Sequence, residues 1–215
     1  MAIHSRWAGS TLQLEFPLKA IIFDLFGTLV YIDHPAHPYR QLLAGATASD
    51  ARELVMTSNA SPGRMAKKIG SVLSPEALRE VTAELEAEVH RIKLFHEVRD
   101  ALVQLKAAGY LILVSSNLAK PYGQAKLLLA DMVDYWNFSF DTGLLKPDAQ
   151  MFFGPAAAFG ILPKDCIVVG DSVSSDGGGA AAAGMDFVLV DRFGRHPALP
   201  AIQGLDELVT RLLGP

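Results

Sequence analysis

The stretch Lys19-Ala-Ile-Ile-Phe-Asp-Leu-Phe-Gly-Thr-Leu-Val30 constrains the fold more than any other part of the chain. Ala20 to Phe23 are apolar, Asp24 follows at once, and Gly27-Thr28 breaks the pattern. A short apolar run bounded by turn signals reads as a buried strand. A carboxylate at its end stands where the ligands of an open parallel sheet bind. One aspartate after a strand is ordinarily a turn residue, so the weight of the reading rests on what the other strand ends carry.

They carry polar groups as well. Leu111 to Val114 run into Ser115-Ser116-Asn117, and Ile167 to Val169 into Gly170-Asp171-Ser172, with Asp176 close behind. Phe138 to Phe140 reads as a third strand with Lys146-Pro147-Asp148 beyond it, and Phe187 to Val190 as a fifth. Helical signals lie between. Val98, Ala101, Leu102 and Leu105 share one face and Gly109 stops it. Further helices are expected over 122–130, from Lys146-Pro147-Asp148 to near Gly160, over 180–184 and over 205–213. Strands alternating with helices predict an α/β fold with a doubly wound, mainly parallel sheet.

The middle of the chain has a different character. Tyr31 to Tyr39 is rich in His and Pro and reads as a linker. Ser49-Asp50 and Ser61-Pro62 start helices running to Met56 and Ile69. Ser74-Pro75-Glu76 is a strong start, with an N-cap serine, a first-turn proline and an acid. Leu78, Val81, Leu85, Val89 and Ile92 continue it at helical spacing. No strand is expected in this stretch. The division that follows is a core of residues 1–30 and 96–215 with an all-helical insert over 31–95.

Composition narrows the function classes. With 215 residues and a hydrophobic fraction of 50%, the chain is long enough for a sizeable core plus an insert. The net charge is -4 and the basic residues are scattered, which gives no nucleic-acid footprint. The single Cys166 precludes an internal disulfide, suits a reducing compartment and reads as a core residue. No apolar run approaches the roughly 18 residues of a membrane span, and Met1 to Phe16 lacks a signal-peptide core. A cytoplasmic protein with a small-molecule anionic substrate is expected. Trp7, Leu12, Leu14 and Phe16 suit either an edge strand or clasp, or a tail.

The strand ends bring Asp24 with Thr28, Ser116 with Asn117, Lys146, and Asp171 with Asp176 to one edge. Three carboxylates that close cannot all stay ionised uncompensated. Lys146 supplies one positive charge and a divalent cation would supply the rest. Hard oxygen ligands and a partly open shell suit Mg²⁺. Such a site is built for a phosphoryl group, with Asp24 as nucleophile. The Gly177-Gly178-Gly179 run lacks nucleotide-loop spacing and reads as a close approach beside Asp176. His34, His37 and Arg40 follow the first motif, and Arg64, Lys67 and Lys68 lie in the insert; all read first as solvated charges.

These motifs resemble the haloacid dehalogenase superfamily. Phe-Asp-Leu-Phe-Gly-Thr-Leu, Leu-Val-Ser-Ser-Asn, Lys146-Pro-Asp and Val-Gly-Asp-Ser-Val-Ser-Ser-Asp-Gly-Gly-Gly match its four motifs in order and spacing. The resemblance implies a Rossmann-like core with a helical cap inserted after the first motif. It implies Asp24 as nucleophile, oriented by Thr28, with Ser116 and Lys146 holding the transferred group and Asn117 and Phe26 beside the substrate. It implies Mg²⁺ held by Asp24, the Phe26 backbone carbonyl, Asp171 and, directly or through another ligand, Asp176. Ser115 is the weaker candidate for the role given to Ser116. One position departs from the family's phosphatases: the second aspartate of the first motif, a general acid–base, is Phe26 here. That loss suits the family's dehalogenases, whereas Asp171 suits its Mg²⁺ phosphatases. A 2-haloacid dehalogenase and a non-catalytic binding protein are the alternatives to a phosphatase.

Overall fold

The computed structural model describes residues 19–214, so the expectation for Trp7 to Phe16 lies outside the described residues. In chain order the elements are β1 (Ala20–Phe23), β2 (Val30–Ile32), α1 (Tyr39–Ala44), α2 (Ala51–Thr57), α3 (Pro62–Lys68), α4 (Pro75–His90), β3 (Ile92–Leu94), α5 (Val98–Ala107) and β4 (Leu111–Ser116). A 3-10 helix, Lys120–Leu129, leads to β5 (Tyr135–Phe138), α6 (Ser139–Thr142), α7 (Gln150–Ala157) and β6 (Cys166–Gly170). A π-helical turn, Val173–Gly177, runs into α8 (Gly178–Ala183), followed by β7 (Asp186–Leu189) and α9 (Leu205–Leu213).

Five strands form one sheet in the order β5-β4-β1-β6-β7, and every pairing in it is parallel. This is the doubly wound order, with β1 at the centre. Residues alternate faces along a strand, and β1 shows it. Ile21 and Phe23 join a core with Leu102 and Leu105 of α5 and Leu208 of α9. Ala20 and Ile22 join the other face with Met151 and Phe152 of α7 and Ala180 of α8. Each such Leu, Ile or Phe contributes about 1.5–3 kcal/mol on full burial. Register completes the placement: Phe23 is level with Val114 and with Val169. Asp24, Ser116 and Asp171 therefore leave the sheet at one edge.

The four helices α1 to α4 share a separate cluster around Leu42, Val55, Met65 and Ile69. Among them α4 is the longest, opened by Ser74 Oγ accepting from the Ala77 amide at 3.2 Å. It buries Val81, Leu85 and Val89. The sequence expectation fails at the end of this stretch, where Ile92 belongs to a strand instead. β3 pairs antiparallel with β2, so a two-stranded ribbon joins the helical stretch to the core. A three-residue strand is too short to show a period of 2 beside a long helical pattern.

Three more expectations are corrected. The third strand of the sheet is Tyr135–Phe138, and Ser139 to Phe140 already turn into α6. Ser139 is anchored at the turn: its buried hydroxyl donates to the Met56 carbonyl at 2.6 Å and accepts from the Leu118 amide at 3.0 Å. The helix expected over 122–130 is a 3-10 helix starting two residues earlier, at Lys120. The glycine run is indeed a close approach, but not to Asp176. A Cβ on Gly179 would overlap the Phe152 ring and one on Gly177 would press on Phe187. The glycine that makes room for Asp176 is Gly170.

Candidate active site

Asp24 is the residue after β1, and its amide donates to the Val169 carbonyl at 2.9 Å. That bond extends the β1–β6 ladder by one step and fixes where the carboxylate leaves the sheet. Asp24 is buried, as are Ser116, Lys146 and Asp176. The Lys146 ammonium donates to Asp24 Oδ1 at 2.5 Å, to Asp176 Oδ1 at 2.6 Å and to the Ser115 carbonyl at 3.0 Å. All three of its protons are used. Burial alone would lower the Lys146 pKa; the two carboxylates outweigh it and hold the amine protonated, above the ordinary lysine range.

Lys146 does not stand at a strand end. It comes from the loop beyond α6 and is carried in by its backbone. Asn117 clamps it: Oδ1 accepts from the Lys146 amide at 2.8 Å and Nδ2 donates to its carbonyl at 3.0 Å. Asn117 thus spends its amide on positioning the lysine. Ser116 Oγ donates to Asp24 Oδ1 at 3.1 Å. Ser115 Oγ turns the other way and donates to the Met151 carbonyl at 2.7 Å. Thr28 makes no hydrogen bond to Asp24; among the described residues its buried hydroxyl has no hydrogen-bond partner. Asp24 is oriented instead by Ser116 and Lys146.

Asp171 follows β6 and Asp176 lies in the π-helical turn. Asp176 uses both oxygens, one on Lys146 and the other accepting from the Ser172 amide at 3.0 Å. Burial, then the Asp24 charge, push its pKa up to about 6, against the pull of Lys146. Burial also raises Asp171, opposed by the Arg195 guanidinium that donates to its Oδ2 at 2.6 Å. Asp24, Asp171 and Asp176 each offer a carboxylate oxygen, all within 4.8 Å of one another. Three hard oxygens drawn together this closely, two of them raised by burial, fit a divalent cation.

Gly27 is what lets Asp171 approach. Its φ is +88°, and an added Cβ would overlap the Asp171 carboxylate. Phe26 is half-buried and meets the Tyr122 ring edge-to-face, with centroids 5.8 Å apart. A cavity of about 1360 Å³ opens beyond it, lined by Phe26, Tyr39, Arg40, Glu88, Asn117 and Tyr122 among others. His37 also lines it, whereas His34, Arg64, Lys67 and Lys68 do not.

Three contributors escape a reading of the sequence. Glu88, on the buried face of α4, accepts from the Tyr122 hydroxyl at 2.5 Å and from the His37 amide at 2.9 Å. Its spacing could have marked it: Glu88 falls three residues after Leu85 and seven after Val81, an acid on the apolar stripe of α4. Arg195 lies in the loop after β7, and the strand-end rule extended to that loop would have drawn attention to it. Arg192, in the same loop, pairs with Glu97 at 2.6 Å.

The model of the haloacid dehalogenase-like hydrolases matches residues 18–184. The chain belongs to that family. It is 30% identical over 130 residues to a phosphoserine phosphatase of Thermus thermophilus, covering 59% of this chain and 52% of that protein. It is 32% identical over 125 residues to a ribulose-1,5-bisphosphate 5-phosphatase of Halopiger xanaduensis, covering 57% of this chain and 52% of that protein. The chain thus spans about half the length of these curated relatives. Among solved structures, a haloacid dehalogenase-type phosphatase from Thermococcus onnurineus superposes with a TM-score of 0.63 at 25% identity, covering 92% of this chain and 98% of that one. Among the described residues no helix is long and apolar enough to cross a membrane.

Proposed function

We propose that the chain is a Mg²⁺-dependent phosphatase of small phosphorylated metabolites, working through an aspartyl-phosphate on Asp24. The observation that carries this reading is the buried Lys146 ammonium shared by Asp24 and Asp176, with Asp171 close by. Asp24 Oδ1 is held by Lys146 and Ser116, which leaves Oδ2 to attack phosphorus. The P–O bond to the leaving group breaks as the Asp24–phosphorus bond forms, and water then returns the carboxylate and releases phosphate. Lys146 and Ser116, which hold Asp24 Oδ1 in the free site, would redirect those hydrogen bonds to the equatorial oxygens as charge accumulates there. Asp24, the Phe26 carbonyl and Asp171 would hold Mg²⁺, with Asp176 supporting through Lys146 and the Ser172 amide. When bound, the ion neutralises phosphoryl charge and aligns the substrate.

Phe26 selects among substrates. A phenyl ring gives no proton to a departing alkoxide, so the favoured leaving groups depart as anions, such as acyl or phenolic phosphates. The cavity beyond Phe26 leaves room for the rest of such a molecule. Residues 31–95 would act as a cap over the site, hinged at the β2–β3 ribbon and setting specificity. The chain would act in the cytoplasm, without nucleic acid or membrane. Phe26 also keeps a second reading open, a 2-haloacid dehalogenase that uses Asp24 without metal.

Phosphate release from a panel of alkyl, aryl and acyl phosphates, with Mg²⁺ or EDTA, separates these readings. Activity that needs Mg²⁺ and disappears in Asp24→Asn is expected. If no phosphate ester turns over and 2-haloacids release halide in EDTA, the chain is a dehalogenase. Silence on both panels would leave a binding protein.

A further inference from the structure

The Asp171 carboxylate already has a cation. Its Oδ2 accepts from Arg195 Nη2 at 2.6 Å, and the same oxygen lies against Gly27. Arg195 is not a stray surface side chain. The loop that bears it is fixed at its base by buried Asp191, whose two oxygens accept from the Arg195 amide at 2.8 Å and the His196 amide at 2.7 Å. Arg192 anchors the same loop: it donates to the Thr28 carbonyl at 2.7 Å, and its guanidinium sits 3.8 Å from the Phe95 ring centroid. The backbone is therefore held while the Arg195 side chain, 51% exposed and 5.6 Å from the Phe193 ring centroid, can swing off the carboxylate and stay over that ring. Arg192 cannot do the same, being 7% exposed and committed to Glu97.

We propose that Arg195 and the divalent cation compete for Asp171, so that metal binds only as the guanidinium swings off the carboxylate. The proposal rests on the reading of Asp171 as a metal ligand. A guanidinium and a divalent ion on one carboxylate repel each other, and both lose from sharing it. Without metal, Arg195 joins Lys146 in compensating the three carboxylates, which favours a folded, metal-free site. With metal, Arg195 is released at the edge of the site. Because the ion pair is half-exposed, the competition is modest. It sets how much Mg²⁺ the site needs rather than whether it binds.

Isothermal titration of MgCl₂ into the full chain tests this without any turnover. Arg195→Gln removes the charge and keeps the exposed loop, and about fivefold tighter Mg²⁺ binding than wild type is expected. Asp171→Asn sets the floor. If wild type binds Mg²⁺, Asp171→Asn loses it and Arg195→Gln binds no tighter than wild type, the competition is wrong and the metal site stands. If neither wild type nor Arg195→Gln binds Mg²⁺, the metal reading falls and the proposal falls with it.

Discussion

If Asp24 is the nucleophile, as proposed, position 26 decides what it can expel. Phe26 occupies the cavity wall two residues beyond Asp24, edge-on to Tyr122, with no group that exchanges a proton. General acid–base help is typically worth 10²–10⁴-fold, and without it the rate must depend steeply on the leaving group. Across substituted phenyl phosphates the wild type should therefore slow sharply as the phenol becomes less acidic. Phe26→Asp should flatten that dependence and raise alkyl phosphate turnover, by about 10²-fold if the new carboxyl aligns as a positioned acid does. A wild-type rate indifferent to leaving-group acidity would mean that another residue donates the proton. Gly27, the next residue, shows the same economy of space, since its φ of +88° and lack of a Cβ admit the Asp171 carboxylate.

At the scale of elements, what the sequence made legible follows from how many residues each signal spans. The apolar runs of β1 and β6 and the capped start of α4 were readable, as was α9, because each repeats one pattern over several residues. The ribbon of β2 and β3 was not, because its strands carry three residues each. Nor was the turn at Ser139, whose buried hydroxyl is anchored on Met56, a contact distant in sequence. The site divides the same way: Asp24, Ser116, Lys146, Asp171 and Asp176 followed from motifs, whereas the Asn117 clamp and Arg195 needed coordinates. The N-cap of α4 gives a direct check on local reasoning. Ser74→Ala strands the Ala77 amide and should lower stability by about 1 kcal/mol, read as a shifted urea midpoint with an unchanged slope. No shift would mean that packing of Val81, Leu85 and Val89 alone sets the helix boundary.

For the whole molecule, the question is what couples the helical stretch to the sheet. Covalently it is the β2–β3 ribbon. A buried polar link is Glu88, a carboxylate on α4 that accepts from the Ala36 and His37 amides and from the Tyr122 hydroxyl on the 3-10 helix. One residue thus ties α4, the linker and the sheet side of the cavity together. Burial first, and then Glu88, hold Tyr122 well above the ordinary phenol range, so it stays a proton donor at any working pH. Tyr122→Phe keeps the ring against Phe26 and removes only that donor. A buried charge stripped of a hydrogen bond costs about 1–3 kcal/mol, and opening the helical stretch away from the core relieves the cost by letting water reach Glu88. Hydrogen exchange should therefore quicken at Ala36, His37 and along α4 in Tyr122→Phe, while β1 and β6 stay as protected as in wild type. Faster exchange spread evenly over the sheet would show instead that the two parts open only together, and that Glu88 serves global stability rather than the closing of one part over the other.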